Sequence, residues 1–129
     1  MSYNFNIHFT IQEAKAALPD AIRLLKKIQE LNKSLTSTGF DIYKHKTFGG
    51  SQVNGIASLP KEMQQLIDVY KEFSIKGYIL KNVERGLLDF PSIRSNGEEV
   101  FLCYLLGEET ISYWHGEEGF NGRKDLNEF

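Results

Sequence analysis

Residues 86–106 read Gly86-Leu87-Leu88-Asp89-Phe90-Pro91-Ser92-Ile93-Arg94-Ser95-Asn96-Gly97-Glu98-Glu99-Val100-Phe101-Leu102-Cys103-Tyr104-Leu105-Leu106. Asn-Gly is the strongest short hairpin signal, because a tight turn needs left-handed backbone that these two residues adopt most readily. It separates two apolar runs, Gly86 to Phe90 and Val100 to Leu106. The second run is apolar on both alternating faces, which predicts a central strand covered on both sides. Tyr78-Ile79-Leu80-Lys81 upstream and Thr110-Ile111-Ser112-Tyr113-Trp114-His115 downstream read as further strands, the latter entered through Gly107-Glu108-Glu109. The expectation is an antiparallel β-meander of about four strands over residues 78–115.

Upstream the period changes from two to about 3.6. Thr10-Ile11-Gln12-Glu13 is a capping box, in which the Thr10 hydroxyl and the Glu13 carboxylate each accept from the other's backbone N–H. Ile11, Ala14, Leu18, Ala21, Ile22, Leu25, Ile28, Leu31 and Leu35 then form one apolar stripe, predicting a helix over residues 11–35. Pro19 interrupts it but leaves the phase intact, so a kink is expected, not a stop. Ser58 is a candidate cap for a second helix over residues 59–76, with Pro60 in its first turn and Gly77 as its stop. Its stripe is Leu59, Met63, Leu66, Ile67, Tyr70 and Phe73. The two helices make an antiparallel hairpin laid on one face of the sheet, an α+β fold. Residues 36–57, with Gly39, Gly49-Gly50 and Asn54-Gly55, read as a long mobile connection. Residues 3–9 alternate aromatic or apolar with polar as an extended arm, and residues 116–129 read as an irregular tail.

A chain of 129 residues, 41% hydrophobic and 25% charged, is one ordinary domain spanning 1–129 with enough apolar content for a core, which excludes disorder and disulfide scaffolds. No apolar run is long enough to cross a membrane. The start, MSYNFNIHFT, lacks a secretory-signal layout, and the lone Cys103 fits a reducing compartment, so a cytoplasmic location is expected. A formal net charge of −2 removes the electrostatic footprint of a nucleic-acid binder. The charge is unevenly spread: residues 1–83 carry net +4 and residues 84–129 net −6. A helix of about 25 residues outruns the face of so small a sheet, so part of its stripe should stay uncovered and a homodimer through the helical hairpins is expected.

With Arg85-Gly86-Leu87-Leu88-Asp89-Phe90-Pro91, Val100-Phe101-Leu102-Cys103-Tyr104, Leu106-Gly107-Glu108, Tyr113-Trp114-His115 and Gly119-Phe120-Asn121-Gly122-Arg123 assembled, the chain resembles the uncharacterised prokaryotic family known as domain of unknown function 2203. Phe9 to Pro19 matches that family's opening Phe-Thr-x-x-Glu-Ala…Leu-Pro segment. The resemblance covers nearly the whole chain and is loosest over residues 36–57. The chain departs from it after Tyr104, where relatives tend to carry Trp followed by Arg and this sequence has Leu105. The resemblance implies a fold unit and a set of motif residues, and no activity.

Among those motif residues, Asp89 sits in an apolar strand, where a carboxylate is costly unless paired; Arg85 and Arg94 are the nearby candidates. His115 ends a strand beside Glu117 and Glu118, and with Asp89 or Glu108 it could hold a divalent metal, although the spacing matches no established metal motif. The plain alternative is a hydrogen-bonded structural histidine. Arg123, preceded by Gly119 and Gly122, could clamp a small anion or pair with a local acid. Cys103 lies in an apolar strand and is expected to be inert. No nucleophile–base pair, phosphate loop or cofactor motif stands out, so no cofactor is expected. The favoured function is a non-catalytic, self-associating interaction or small-ligand-binding module, the alternative a small enzyme or metal-binding protein built on Asp89, Glu108, His115 and Arg123. If those four form one site, Asp89 and His115 must share a sheet face and all four must converge in one concavity.

Overall fold

A computed structural model describes residues 3–50 and 59–129. Helix α1 spans Ile11–Ser37, helix α2 Lys61–Lys76, and five strands follow: β1 Ile79–Asn82, β2 Leu87–Ile93, β3 Glu99–Leu105, β4 Tyr113–His115 and β5 Lys124–Asp125. The strands pair antiparallel in chain order, β1-β2-β3-β4-β5. The fold is thus α+β with a five-stranded meander. The strand beyond the expected four comes from the tail, where Lys124–Asp125 adds to β4. Two residues carry no readable alternation, so periodicity could not have found it.

The capping box forms as the sequence requires, Glu13 N–H donating to Thr10 Oγ1 at 3.0 Å and Thr10 N–H to Glu13 Oε1 at 2.9 Å. The helix runs on through Pro19. Leu24, outside the predicted stripe, is as fully buried as Leu25 and Ile28, because α2 and the sheet together flank α1 over a wider arc than one stripe. α2 packs against α1 and ends at Gly77, whose φ of 84° is the left-handed stop expected there. Pro60 is its cap residue and makes no side-chain cap bond. Ser58, like Asn54-Gly55, lies outside the described residues.

The expectation of a patternless connection fails for residues 40–50. Two short 3-10 turns, Ile42–Lys44 and Lys46–Phe48, are capped by Asp41 and His45, and Ile42 and His45 are buried. Phe48 packs edge-on against Tyr70 of α2, 4.9 Å between ring centres. Local caps and two buried side chains order the segment without helical or strand periodicity.

The core joins Leu18, Leu24, Leu25 and Ile28 of α1 and Met63, Leu66 and Phe73 of α2 to Leu88, Phe90, Leu102 and Tyr104 of the sheet. The arm, residues 3–9, forms no ladder. It is held by Phe9 N–H donating to the Pro91 carbonyl at 2.7 Å, by Ser92 Oγ donating to the Phe9 carbonyl at 2.6 Å, and by Glu99. Ile75, 76% exposed, is the one fully exposed large apolar side chain that the helices leave among the described residues. Ile75 lies outside both predicted stripes; of the α1 stripe on which the dimer expectation rests, Ile11, Ile22 and Leu31 stay half-buried and the other six residues are buried. No described helix is long and apolar enough to cross a membrane.

Asp20 ties the helices to the strand entry: Lys76 Nζ donates to it at 2.8 Å, Arg23 at 2.8 Å and the Tyr78 hydroxyl at 3.0 Å. The Lys76 and Arg23 contacts hold its carboxyl at about 2, below the ordinary 3.8. A carboxylate whose pKa is lower in the folded state stabilises the fold above its ordinary value and stops doing so as pH falls through the folded one. Urea denaturation across this range should therefore show stability falling from pH 4 toward pH 2, with a shallower fall in Asp20→Asn.

Candidate functional site

The register of β2, β3 and β4 fixes which side chains meet. Asp89 pairs with Cys103, and Cys103 with Tyr113, so these three share a face, with His115 two residues beyond Tyr113. Leu88, Phe90, Leu102 and Trp114 point the other way, into the helix-covered core. The second face has no helix on it. Phe5 of the arm lies against Phe101, 5.5 Å between ring centres, and Arg123 of the tail lies over Tyr113 at 4.1 Å. Asp89, Cys103 and His115 on that face are 2%, 0% and 4% exposed.

His115 Nε2 lies 3.0 Å from both Asp89 carboxylate oxygens, and His115 Nδ1 lies 2.8 Å from the Gly116 carbonyl oxygen. Both ring nitrogens therefore face acceptors. A neutral imidazole could satisfy only one of them, so a positive charge belongs on or beside this ring. Burial pulls the His115 pKa down, the hydrogen bonds to Asp89 and to the Gly116 carbonyl push it up, and the upward pull prevails. The Phe101 ring covers the imidazole, 5.4 Å between centres.

Arg85 and Arg94, the expected partners of Asp89, pair elsewhere. Arg85 lies over the Phe120 ring at 4.8 Å, in the turn anchored to α1 by Gln29 Nε2 donating to the Val83 carbonyl at 2.9 Å and Asn32 Nδ2 donating to Glu84 at 3.1 Å. Arg94 donates to Glu98 and to the Phe129 carbonyl and covers Trp114. The reason is geometric: Arg85 and Arg94 lie outside β2, whereas Asp89 is within it and shares the second face with the β4 histidine across β3.

Glu108 turns in from the β3–β4 loop. Its carboxylate accepts from the Leu105 N–H at 2.7 Å and from Arg123 Nη2 at 2.6 and 2.7 Å. Arg123 is sandwiched by Tyr113 at 4.1 Å and Phe120 at 4.8 Å, and its Nε finds no acceptor among the described residues. Asp89, Glu108, His115 and Arg123 thus fall into two pairs, and Cys103 feels the charges of both. The expected single concavity does not hold them: the neighbouring groove of about 760 Å³ is lined by Glu99, Phe101, Trp114 and Gly116, not by these four.

His8 lies 2.7 Å from Glu99 and helps hold the arm over Phe101. Burial would raise Glu99, but His8 and the N–H groups of Asn4 and Phe5 outweigh it and keep the carboxyl below its ordinary range.

Sequence reasoning set Cys103 aside. Its Sγ, an Asp89 oxygen and a His115 ring nitrogen lie within 4.8 Å of one another, while Glu108 is committed to Arg123 and is not in that group. The register centres on Asn96, seven residues from Asp89 and seven from Cys103, which makes them cross-strand neighbours; a two-residue Asn-Gly turn would have set Asp89 opposite Tyr104.

Fold and site together define a small α+β protein with a buried acid–thiol–imidazole cluster on the sheet face opposite its helices. The chain belongs to the family described as an uncharacterized conserved protein, DUF2203, whose model matches residues 8–126. No curated protein and no solved structure matches it.

Burial, reinforced by Asp89, pushes the Cys103 thiol up from 9.0 to about 12. In metal-free native protein at pH 8 a disulfide reagent should label Cys103 about three orders of magnitude more slowly than in unfolded chain, from thiolate fraction alone. Equal labelling rates in the two states would contradict the arrangement.

Proposed function

We propose that the protein is a non-catalytic module that binds a small anionic ligand on the second sheet face, with Arg85 and Arg123 as its cationic contacts. The observation that carries this reading is the placement of two guanidinium groups on one ring, each 4.8 Å from the centre of Phe120. Arg85 makes no ion pair with the described residues, and Arg123 Nε has no acceptor among them. Two like charges at one aromatic ring favour an anion between them, and planar guanidiniums suit carboxylate or phosphate oxygens. Glu108 is the internal counter-ion with which such a ligand competes.

The non-catalytic part of the reading rests on how the reactive groups are engaged. A thiol nucleophile needs an imidazole facing it, and here the His115 nitrogens face Asp89 and the Gly116 carbonyl. The thiol is protonated at neutral pH. A cytoplasmic location is part of the same proposal, supported by the single cysteine.

A thermal-shift screen of phosphate, sulfate, citrate and a nucleotide at constant ionic strength tests the proposal. A ligand at a hundred times its Kd stabilises by about 2.7 kcal/mol. Arg85→Ala and Arg123→Lys should each reduce that shift, and Glu108→Gln should tighten binding by removing the competitor. No shift from any of the four anions, or one undiminished in Arg85→Ala, overturns the reading.

A further inference from the structure

We propose that Asp89, Cys103 and His115 hold a divalent transition-metal ion of the class that includes zinc and cobalt(II). This goes beyond the anion-binding reading and does not depend on it, since the two use different residues. The donor atoms, one from each of three adjacent strands, lie within 4.8 Å of one another. Tetrahedral zinc with one sulfur and two lighter donors sets its ligand atoms about 3.3–3.8 Å apart, so small side-chain rotations bring the three into range.

The chemistry of the set selects the ion. A thiolate is soft, an imidazole intermediate and a carboxylate hard, a mixture that suits zinc, cobalt or iron and not magnesium or calcium, which take oxygen donors. Carboxylate and thiolate together carry two negative charges, so a dication leaves the buried cluster neutral, where a lone buried ion would be costly. The hydrogen bond from His115 Nδ1–H to the Gly116 carbonyl is the outer-shell contact that directs Nε2 inward, as metal-ligating histidines require. A cation between Nε2 and Asp89 also resolves the arrangement in which both ring nitrogens face acceptors.

On binding, the metal–sulfur bond forms as the Cys103 S–H bond breaks. The Nε2 proton is likewise displaced, both protons pass to solvent, and no electron moves. Three protein ligands leave a fourth position for water or a small ligand.

The test is cobalt(II) titration of chelator-stripped protein followed by absorption. The expected result is one equivalent bound, intensified visible bands of a four-coordinate ion, a near-ultraviolet thiolate-to-metal charge-transfer band, and displacement by zinc. Cys103 is the only cysteine, so that band in wild-type protein reports on it without any variant. Cys103→Ser should abolish the band, and His115→Gln should weaken cobalt binding by more than about 100-fold. Folded wild-type protein with no such band at millimolar cobalt overturns the proposal, even where a variant does not fold. The anion screen on the same stripped protein reads the other site, so either reading can fail alone.

Discussion

Strand alternation across β2, β3 and β4 is the constraint on which the rest depends. A pleated ladder has two faces, and a residue's parity decides which it joins. Even positions 88, 90, 102, 104 and 114 take the core beneath the helices, while odd positions 89, 103, 113 and 115 take the opposite face. A one-residue slip in the β2–β3 hairpin would drive Asp89 into the apolar core and Leu88 out of it. The turn around Asn96 fixes the register, and with it the site. Gly97 is left-handed (φ 87°) and donates its N–H to the Arg94 carbonyl at 2.8 Å, while Asn96 is not left-handed, so the loop is one residue longer than a two-residue Asn-Gly turn.

The second face is buried without a second layer of helices. Its cover is the arm, held by Glu99, and the tail, held by the Arg123–Glu108 pair. Both covers are polar at their anchors; the arm meets the sheet through Phe5 against Phe101, and the tail through Arg123 over Tyr113. Burying Asp89 with His115 is expensive: the effective penalty is several kcal/mol per ion, and the attraction between them roughly offsets it. Well-packed apolar residues at the same positions would stabilise the fold at least as well. A buried charged cluster kept beside a thiol is therefore better explained by binding than by stability, which is the ground of the metal proposal.

Much of this was legible in the sequence. The capping box, the helix stop at Gly77, the hairpin turn and the doubly covered β3 are local signals, each set by a few adjacent residues. Alternation set the condition that Asp89 and His115 must share a face for a site to form, and the register meets it. What escaped was tertiary. β5 exists only because β4 offers it an edge. Residues 40–50 are ordered by Ile42, His45 and Phe48 finding the core, not by any period. Arg85 and Arg94 are near Asp89 along the chain and yet serve other partners, because both lie beyond the ends of β2, while side chains sharing the second face reach across β3 to His115. Cys103 was read from its apolar neighbours alone. Its burial and raised pKa bear out the expected inertness, while its place opposite Asp89 is a cross-strand relation that neighbours in sequence do not show.

The central claim is that Asp89 and His115 act as one unit on a face separate from the core. A double-mutant cycle with Asp89→Asn and His115→Gln, read by urea unfolding of metal-free protein, tests it most directly. Each single change leaves a buried partner unmatched and should cost about 3–5 kcal/mol. The account predicts that the double variant loses little more than either single one, a coupling of at least about 2 kcal/mol. Additive losses, with coupling below about 0.5 kcal/mol, would show that the two side chains are independent and contradict the account.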